Sequence, residues 1–358
     1  AAAADSKFPD EPQPSVGLQP QPQPTPEKYP FNYQALLNAI PAHCKERNLV
    51  HSLLYVAHDL ICIAILGYLA SYIDHPDAPW GLAGKCILWP LYWFFQGTVM
   101  TGIWVLAHEC GHQAFSPYAK VNDFFGWLMH SSLFVPYHAW RVSHANHHAN
   151  TNHMEHDEVF IPHTRSAMGE AITESPLANL IEVLTMLTFG WPAYLIVNIA
   201  GPKKYQGKPN SHFTTNSALF EKKDAFGIIA SNVGLMIAFS VLLWAIATFS
   251  FITVLKFYIV PYLIVNGYLV SITFLQHTDT YIPHYRGQVN PLRGALATVD
   301  RSLGPVIDHF IHHIADTHVL HHISAKIPFF KAQEATKRVK EVLGKYHLED
   351  RTNFLYAL

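Results

Sequence analysis

The sequence predicts an all-α integral membrane protein, with four transmembrane helices, additional interfacial helices and a cytosolic histidine-rich cap. Three observations carry that expectation. Half of the 358 residues are hydrophobic and only 14% are charged, too apolar a balance for a soluble domain of this length. Five stretches approach the run of about 20 apolar residues that a bilayer crossing needs. Finally, 24 residues are histidine, and many recur at helical spacing just outside those stretches.

Residues 1–30 are rich in proline and glutamine and lack the basic-then-apolar layout of a secretion signal, so they read as a disordered tail ahead of a membrane domain spanning 31–358. The apolar stretches lie near 52–73, 87–107, 179–200, 226–248 and 250–275. If the histidine groups that follow the second and the last stretch are to meet in one site, an even number of crossings must separate them. One stretch must then stay on one side. The stretch 179–200 is the weakest, with Glu182 near its start and a helix-disturbing Gly190-Trp191-Pro192 inside it. Lys203, Lys204 and Lys208 follow it and favour the cytosolic side. The expected arrangement is four crossings, 179–200 in the cytosolic interface, and both termini with all histidine groups in the cytosol.

Net charge of −2 argues against a nucleic-acid binder. Cys44, Cys62, Cys86 and Cys110 show no CxxC spacing, which disfavours a disulfide framework or thiolate zinc site and suits a reducing, cytosol-facing centre.

Three histidine groups carry the chemistry. His108 and His112 stand at i, i+4; His144, His147 and His148 at i, i+3, i+4; His318, His321 and His322 repeat that second spacing. Each pattern places its rings on one helix face. The first group, HECGH, also matches the HExxH pattern of zinc metalloproteases, in which Glu109 would be the general base. Eight neutral nitrogen ligands exceed what one tetrahedral zinc takes. Two metal ions accommodate them, and imidazole suits iron, copper or zinc. A histidine-rich metal-binding or transport protein is the non-enzyme alternative, disfavoured because the groups lie at the ends of the apolar stretches, which themselves hold few charges.

The motifs HECGHQAFSPY, SHANHH, DEVFIP, FGWPAYL, TFLQHTD, RGALATVDR and DTHVLHH, followed by IPFFKAQEAT, resemble the membrane fatty acid desaturases, specifically the Δ12 (oleate) and ω3 acyl-lipid branch of fungi and plants. The resemblance runs from about Tyr29 to the C-terminus. It implies a di-iron, O2-dependent enzyme of the endoplasmic reticulum membrane that places a cis double bond in a phospholipid acyl chain. Electrons would come from NAD(P)H through a reductase and cytochrome b5, which must be external because the chain shows no His-Pro-Gly-Gly haem motif.

HECGH and DTHVLHH favour Δ12 desaturation of oleoyl to linoleoyl. An ω3, bifunctional, acetylenase or conjugase activity stays open, since HANHH lacks the basic residues common in that group and His313 is unusual. The resemblance to acyl-CoA desaturases also implies a ninth ligand, His277, after the last stretch. Thr273 stands where those enzymes carry an asparagine that holds a metal-bound water.

All-imidazole ligation leaves the metal charge uncompensated, so nearby carboxylates are expected around it. Glu109, Asp157, Glu158 and Asp316 flank the histidine groups and are the expected outer partners. Near the C-terminus, Ala335, Val339, Val342, Leu343 and Tyr346 form the apolar stripe of a helix whose polar side carries Lys337, Arg338, Lys340 and Lys345. Lys337, Arg338 and Lys340 are the expected docking surface for acidic cytochrome b5 or lipid headgroups.

Overall fold

In the computed structural model, residues 29–159, 161, 175–279, 281–287 and 290–358 are described. Most of the expected tail therefore lies outside the described residues. Each of the five apolar stretches is helical. Helix α1 (Tyr33–Ala39) is followed by α2 (Leu49–Ser71), which Asn48 caps by accepting the backbone N–H of His51. A short turn leads to α3 (Gly81–Gly111), 31 residues and about 46 Å long. Its N-terminal half is partly exposed, whereas every residue from Gln96 to Cys110 is buried. Exposure along this one helix therefore falls from its N-terminal to its C-terminal half.

Helices α4 (Ala119–Ser132) and α5 (Tyr137–Ala149) lie over that buried end. Helix α6 (Pro176–Val197) starts at the Ser175 cap and stops at Asn198, which is left-handed. The expected disturbance at Gly190-Trp191-Pro192 does not occur: the helix is continuous through Pro192. Burial of Trp191, Tyr194 and Leu195 accompanies Pro192 and offsets the missing backbone donor. Helices α7 (Ala225–Phe249) and α8 (Phe251–His277, with one π-helical turn at Leu255–Ile259) form a hairpin about Ser250, at φ +81°.

Among the described residues, four helices suffice by length and composition to cross a membrane: α2, α6, the helical run Lys222–Phe249 that includes α7, and α8. Helix α3 is not among them. Its central position explains its weaker apolarity, since Gln96, Thr98 and Thr101 face protein rather than lipid. Gly97 lets α3 and α8 meet closely, because a Cβ there would come within 2.5 Å of the Ile264 side chain and 2.9 Å of the Pro261 carbonyl. Helices α3 and α8 both bring their C-terminal ends to the cap, and α7 begins at the same side. There Trp127 Nε1 donates to the Ala230 carbonyl, and the Ser231 hydroxyl accepts from the His138 N–H.

The cap is completed by α9 (Pro305–Phe310), α10 (His318–Ile323) and α11 (Phe329–Leu343). A two-residue parallel pair, β1 (Asp300–Arg301) with β2 (Glu349–Asp350), ties the C-terminal region to it. The main core joins α3, α4, α5, α6 and α8. A second core packs α1 and the buried side of α11 (Ala332, Ala335, Val339, Leu343) against Val319, Leu320 and Ile323 of α10.

Candidate metal centre

Four helices supply nine histidines to one place. The end of α3 brings His108 and His112, α5 brings His144, His147 and His148, α10 brings His318, His321 and His322, and the last residue of α8 is His277. They form two groups. In the first, the Nε2 of His144 lies 3.0 Å from those of His108 and His112, and 3.2 Å from that of His148, which is 3.0 Å from that of His321. In the second, His147, His277 and His322 converge, and the His318 Nε2 lies 3.0 Å from that of His277 and 3.1 Å from that of His322.

Hydrogen bonding does not account for this. The Nε2 atoms of His108, His112 and His144 form a triangle with edges of 3.0–3.2 Å. A neutral imidazole carries one N–H. No placement of single protons satisfies all three edges. Cations do: nitrogens about 2.1 Å from a metal stand about 3.0 Å apart along a cis edge of an octahedron and about 3.4 Å apart in a tetrahedron. The observed edges lie in the range that a shared metal ion imposes on its nitrogen ligands. Two ions fit the two groups, one facing His108, His112, His144, His148 and His321, the other His147, His277, His318 and His322.

Burial supports the same chemistry. Desolvation, reinforced by the neighbouring imidazole of His147, pushes His112 and His318 down to about 3, and His144, His148, His321 and His322 are likewise lowered. All stay neutral near pH 7, the form that ligates metal.

The carboxylates divide differently from the sequence expectation. Asp157 accepts from His147 Nδ1 at 2.6 Å, which turns the Nε2 lone pair inward. Its other oxygen accepts from the Asn152 N–H. Glu109 approaches the His108 ring without a hydrogen bond. Its Oε1 is 3.7 Å from His108 Nδ1, while Oε2 accepts the Phe329 N–H and so anchors the start of α11. Glu158 is held by the Tyr205 hydroxyl at 2.7 Å and by Lys204, and Asp316 by His313 and Gln333. Among the described residues, neither makes a hydrogen bond or ion pair with the nine histidines. Thr273 lines the adjacent cavity, but its hydroxyl donates to the Leu269 carbonyl.

Sequence reasoning missed Asp300. Its Oδ1 accepts the Val319 N–H at 2.7 Å and its Oδ2 the His347 ring at 2.7 Å, fixing the first turn of α10. A charged pair inside the otherwise apolar RGALATVDR was the available signal. The basic stripe on α11 is partly neutralised: Arg338 pairs with Glu341 and Lys340 with Glu349. Lys337 shares its surface recess with Asp300, Asp316 and Asp350.

An apolar cavity opens beside both histidine groups. Trp104, Trp140, Trp191, Leu269 and Ile272 wall it, and His108, His144, His147, His277, His318 and His321 form its polar end. Its apolar walls suit an alkyl chain laid against the nitrogen clusters.

The family model for fatty acid desaturases matches residues 87–354. The chain belongs to the fatty acid desaturase family. This desaturase is 45% identical over 347 residues to the Delta(12) fatty acid desaturase of Mortierella alpina, covering 92% of this chain and 86% of that protein. It is 41% identical over 347 residues to the endoplasmic reticulum isozyme 1 of omega-6 fatty acid desaturase from Glycine max, covering 96% and 87%. It is also 38% identical over 358 residues to an oleate hydroxylase of Claviceps purpurea, covering 92% and 75%. Membership in this family of integral membrane oxidoreductases removes the protease and transport readings of HECGH.

Proposed function

We propose that this desaturase binds two irons and converts a membrane-lipid oleoyl chain to linoleoyl, placing a cis double bond at Δ12. The observation that carries the reading is the pair of nitrogen clusters, five and four histidines, set at the polar end of an apolar cavity. The Δ12 position rests on the relatives named for it. Overall, –CH2–CH2– + O2 + 2e− + 2H+ gives –CH=CH– + 2H2O. Bound irons would supply the oxidising power for removing hydrogen from an unactivated methylene.

The chain's own residues do the rest. Asp157 and Asp300 hold His147 and α10 in register, so the nitrogens need no rearrangement to ligate. The three tryptophans exclude water and restrict which methylene reaches the clusters. Electrons arrive from NAD(P)H by a reductase and cytochrome b5 at the cytosolic face. There the exposed α11 side chains Lys337, Arg338 and Lys340 are the proposed contact.

The protein resides in the endoplasmic reticulum membrane with the cap and both termini cytosolic. Helices α2, α3, α7 and α8 cross, and α6 stays in the cytosolic interface. The parity of the helix ends supports this, since α3 and α8 both finish at the cap and α7 starts there.

A second reading is hydroxylation of the same carbon, favoured by the Claviceps relative. Gas chromatography of fatty acids from a host expressing the full chain separates the outcomes. New linoleate supports the proposal, α-linolenate from supplied linoleate indicates ω3 activity, and a hydroxylated product indicates the second reading. Acetylenic or conjugated products would mark a variant chemistry, and no new lipid counts against the function. Protein purified without chelators is expected to carry about two irons per chain. An active preparation with zinc alone would overturn the metal assignment.

A further inference from the structure

Asp59 is an acid in an unusual place. It stands ten positions after the first residue of α2, about 15 Å along the helix axis. Asp59 is the one acidic residue of α2, and it is fully buried. An ionisable group at such depth is unfavourable unless it is paired, so its partners carry meaning. One carboxylate oxygen accepts from His58 Nδ1 at 2.9 Å, and the other from His312 Nε2 at 2.7 Å.

His312 belongs to the segment between α9 and α10, six positions before His318. That segment is pressed between α2 and α3. At Gly102 a Cβ would lie 2.3 Å from the Phe310 carbonyl and 2.9 Å from Asp59 Oδ2, so only glycine leaves room. His312 and His313 both adopt left-handed backbone, at φ +54° and +60°, a conformation that non-glycine residues hold only when their surroundings enforce it. The His312 ring is 98% buried, and its Nδ1 has no hydrogen-bond partner among the described residues. Its hydrogen-bonded anchor is therefore Asp59.

We propose that Asp59 is a positioning residue for the second nitrogen cluster: by clamping His312 from within a membrane helix, it fixes the left-handed turn that aims His318 and His322. This rests on the metal reading above. The carboxylate makes no contact with the nine histidines, so its action passes through the turn. A general packing role would instead affect both clusters alike.

The test uses the full chain purified in detergent as wild type, Asp59→Ala, Asp59→Asn and His312→Gln. Two readouts are taken: hydrogen exchange of residues 310–323 in metal-free protein, and iron retention against a chelator followed by Mössbauer spectroscopy. Asp59→Ala is expected to raise exchange in 310–323 while α3 stays protected. It should weaken one of the two iron environments about 10- to 100-fold, the range seen when outer partners of metal ligands are removed. Asp59→Asn keeps an acceptor oxygen for His312 and should restore most of both.

Unchanged exchange and retention in Asp59→Ala would overturn the proposal. So would equal loss of both iron environments with exchange raised throughout α2 and α3, unrescued by Asp59→Asn. If Asp59→Ala does not accumulate folded, His312→Gln against Asp59→Asn makes the same comparison. If wild type holds no iron, the metal reading fails, and the exchange measurement alone decides the clamp.

Discussion

His277 shows what a single residue can decide. It lies outside the three spaced groups, at the last turn of α8, yet its Nε2 is 3.0 Å from that of His318 and its ring is buried. If it ligates, His277→Ala should lose activity as fully as His147→Ala and lower iron content, because the second cluster falls from four nitrogens to three. Normal iron with substantial linoleate formation would show that the eight spaced histidines suffice. Asp157 acts one shell further out. Asp157→Ala frees the His147 ring to rotate and should cut iron affinity about 10- to 100-fold. Asp157→Asn, still able to accept from Nδ1, should do less harm. A chelator competition in which Asp157→Ala equals wild type would remove it from the site.

At the scale of elements, α11 presents two different faces. Ala332, Ala335, Val339 and Leu343 pack under α10, while Lys337, Arg338 and Lys340 face outward. The ion pairs of Arg338 and Lys340 reduce the charge available to a partner. Exposed pairs of this kind are worth at most about 1 kcal/mol, so they can be exchanged for contacts to an acidic protein. The triple change of Lys337, Arg338 and Lys340 to Glu is expected to slow turnover with limiting cytochrome b5 while leaving thermal unfolding close to wild type. Wild-type turnover should weaken as salt rises. Full activity of the triple variant at limiting donor would make the helix purely structural.

For the whole molecule, the question is which helices cross. Apolar length alone selects α2, α6, α7 and α8, whereas the placement of helix ends selects α2, α3, α7 and α8. N-glycosylation acceptors inserted one at a time into the turn 72–80 and the loop 201–215 discriminate. The first is expected to be glycosylated in microsomes and the second not. Glycosylation in 201–215 would place α6 across the bilayer and reverse the proposed topology.

The sequence by itself determined the helical membrane class, the positions of five apolar helices with ends that differ by up to six residues, and the three histidine groups, because helix periodicity and histidine spacing are local properties of the chain. His277 was legible only through resemblance, since a lone histidine has no spacing to betray it. The partners of Glu109, Glu158 and Asp316 were not legible at all: a carboxylate beside a ligand in sequence can leave its loop on either side, and only the packing of α11 and the 198–221 loop decided which. The same holds for Asp300 and Asp59, whose partners lie 19 and 253 residues away along the chain. Continuity of α6 through Pro192 was likewise settled by the side chains buried around it. Local spacing picks out the histidines, but bringing four helix ends to one point and choosing their outer partners depends on contacts between distant residues, which only the tertiary fold supplies.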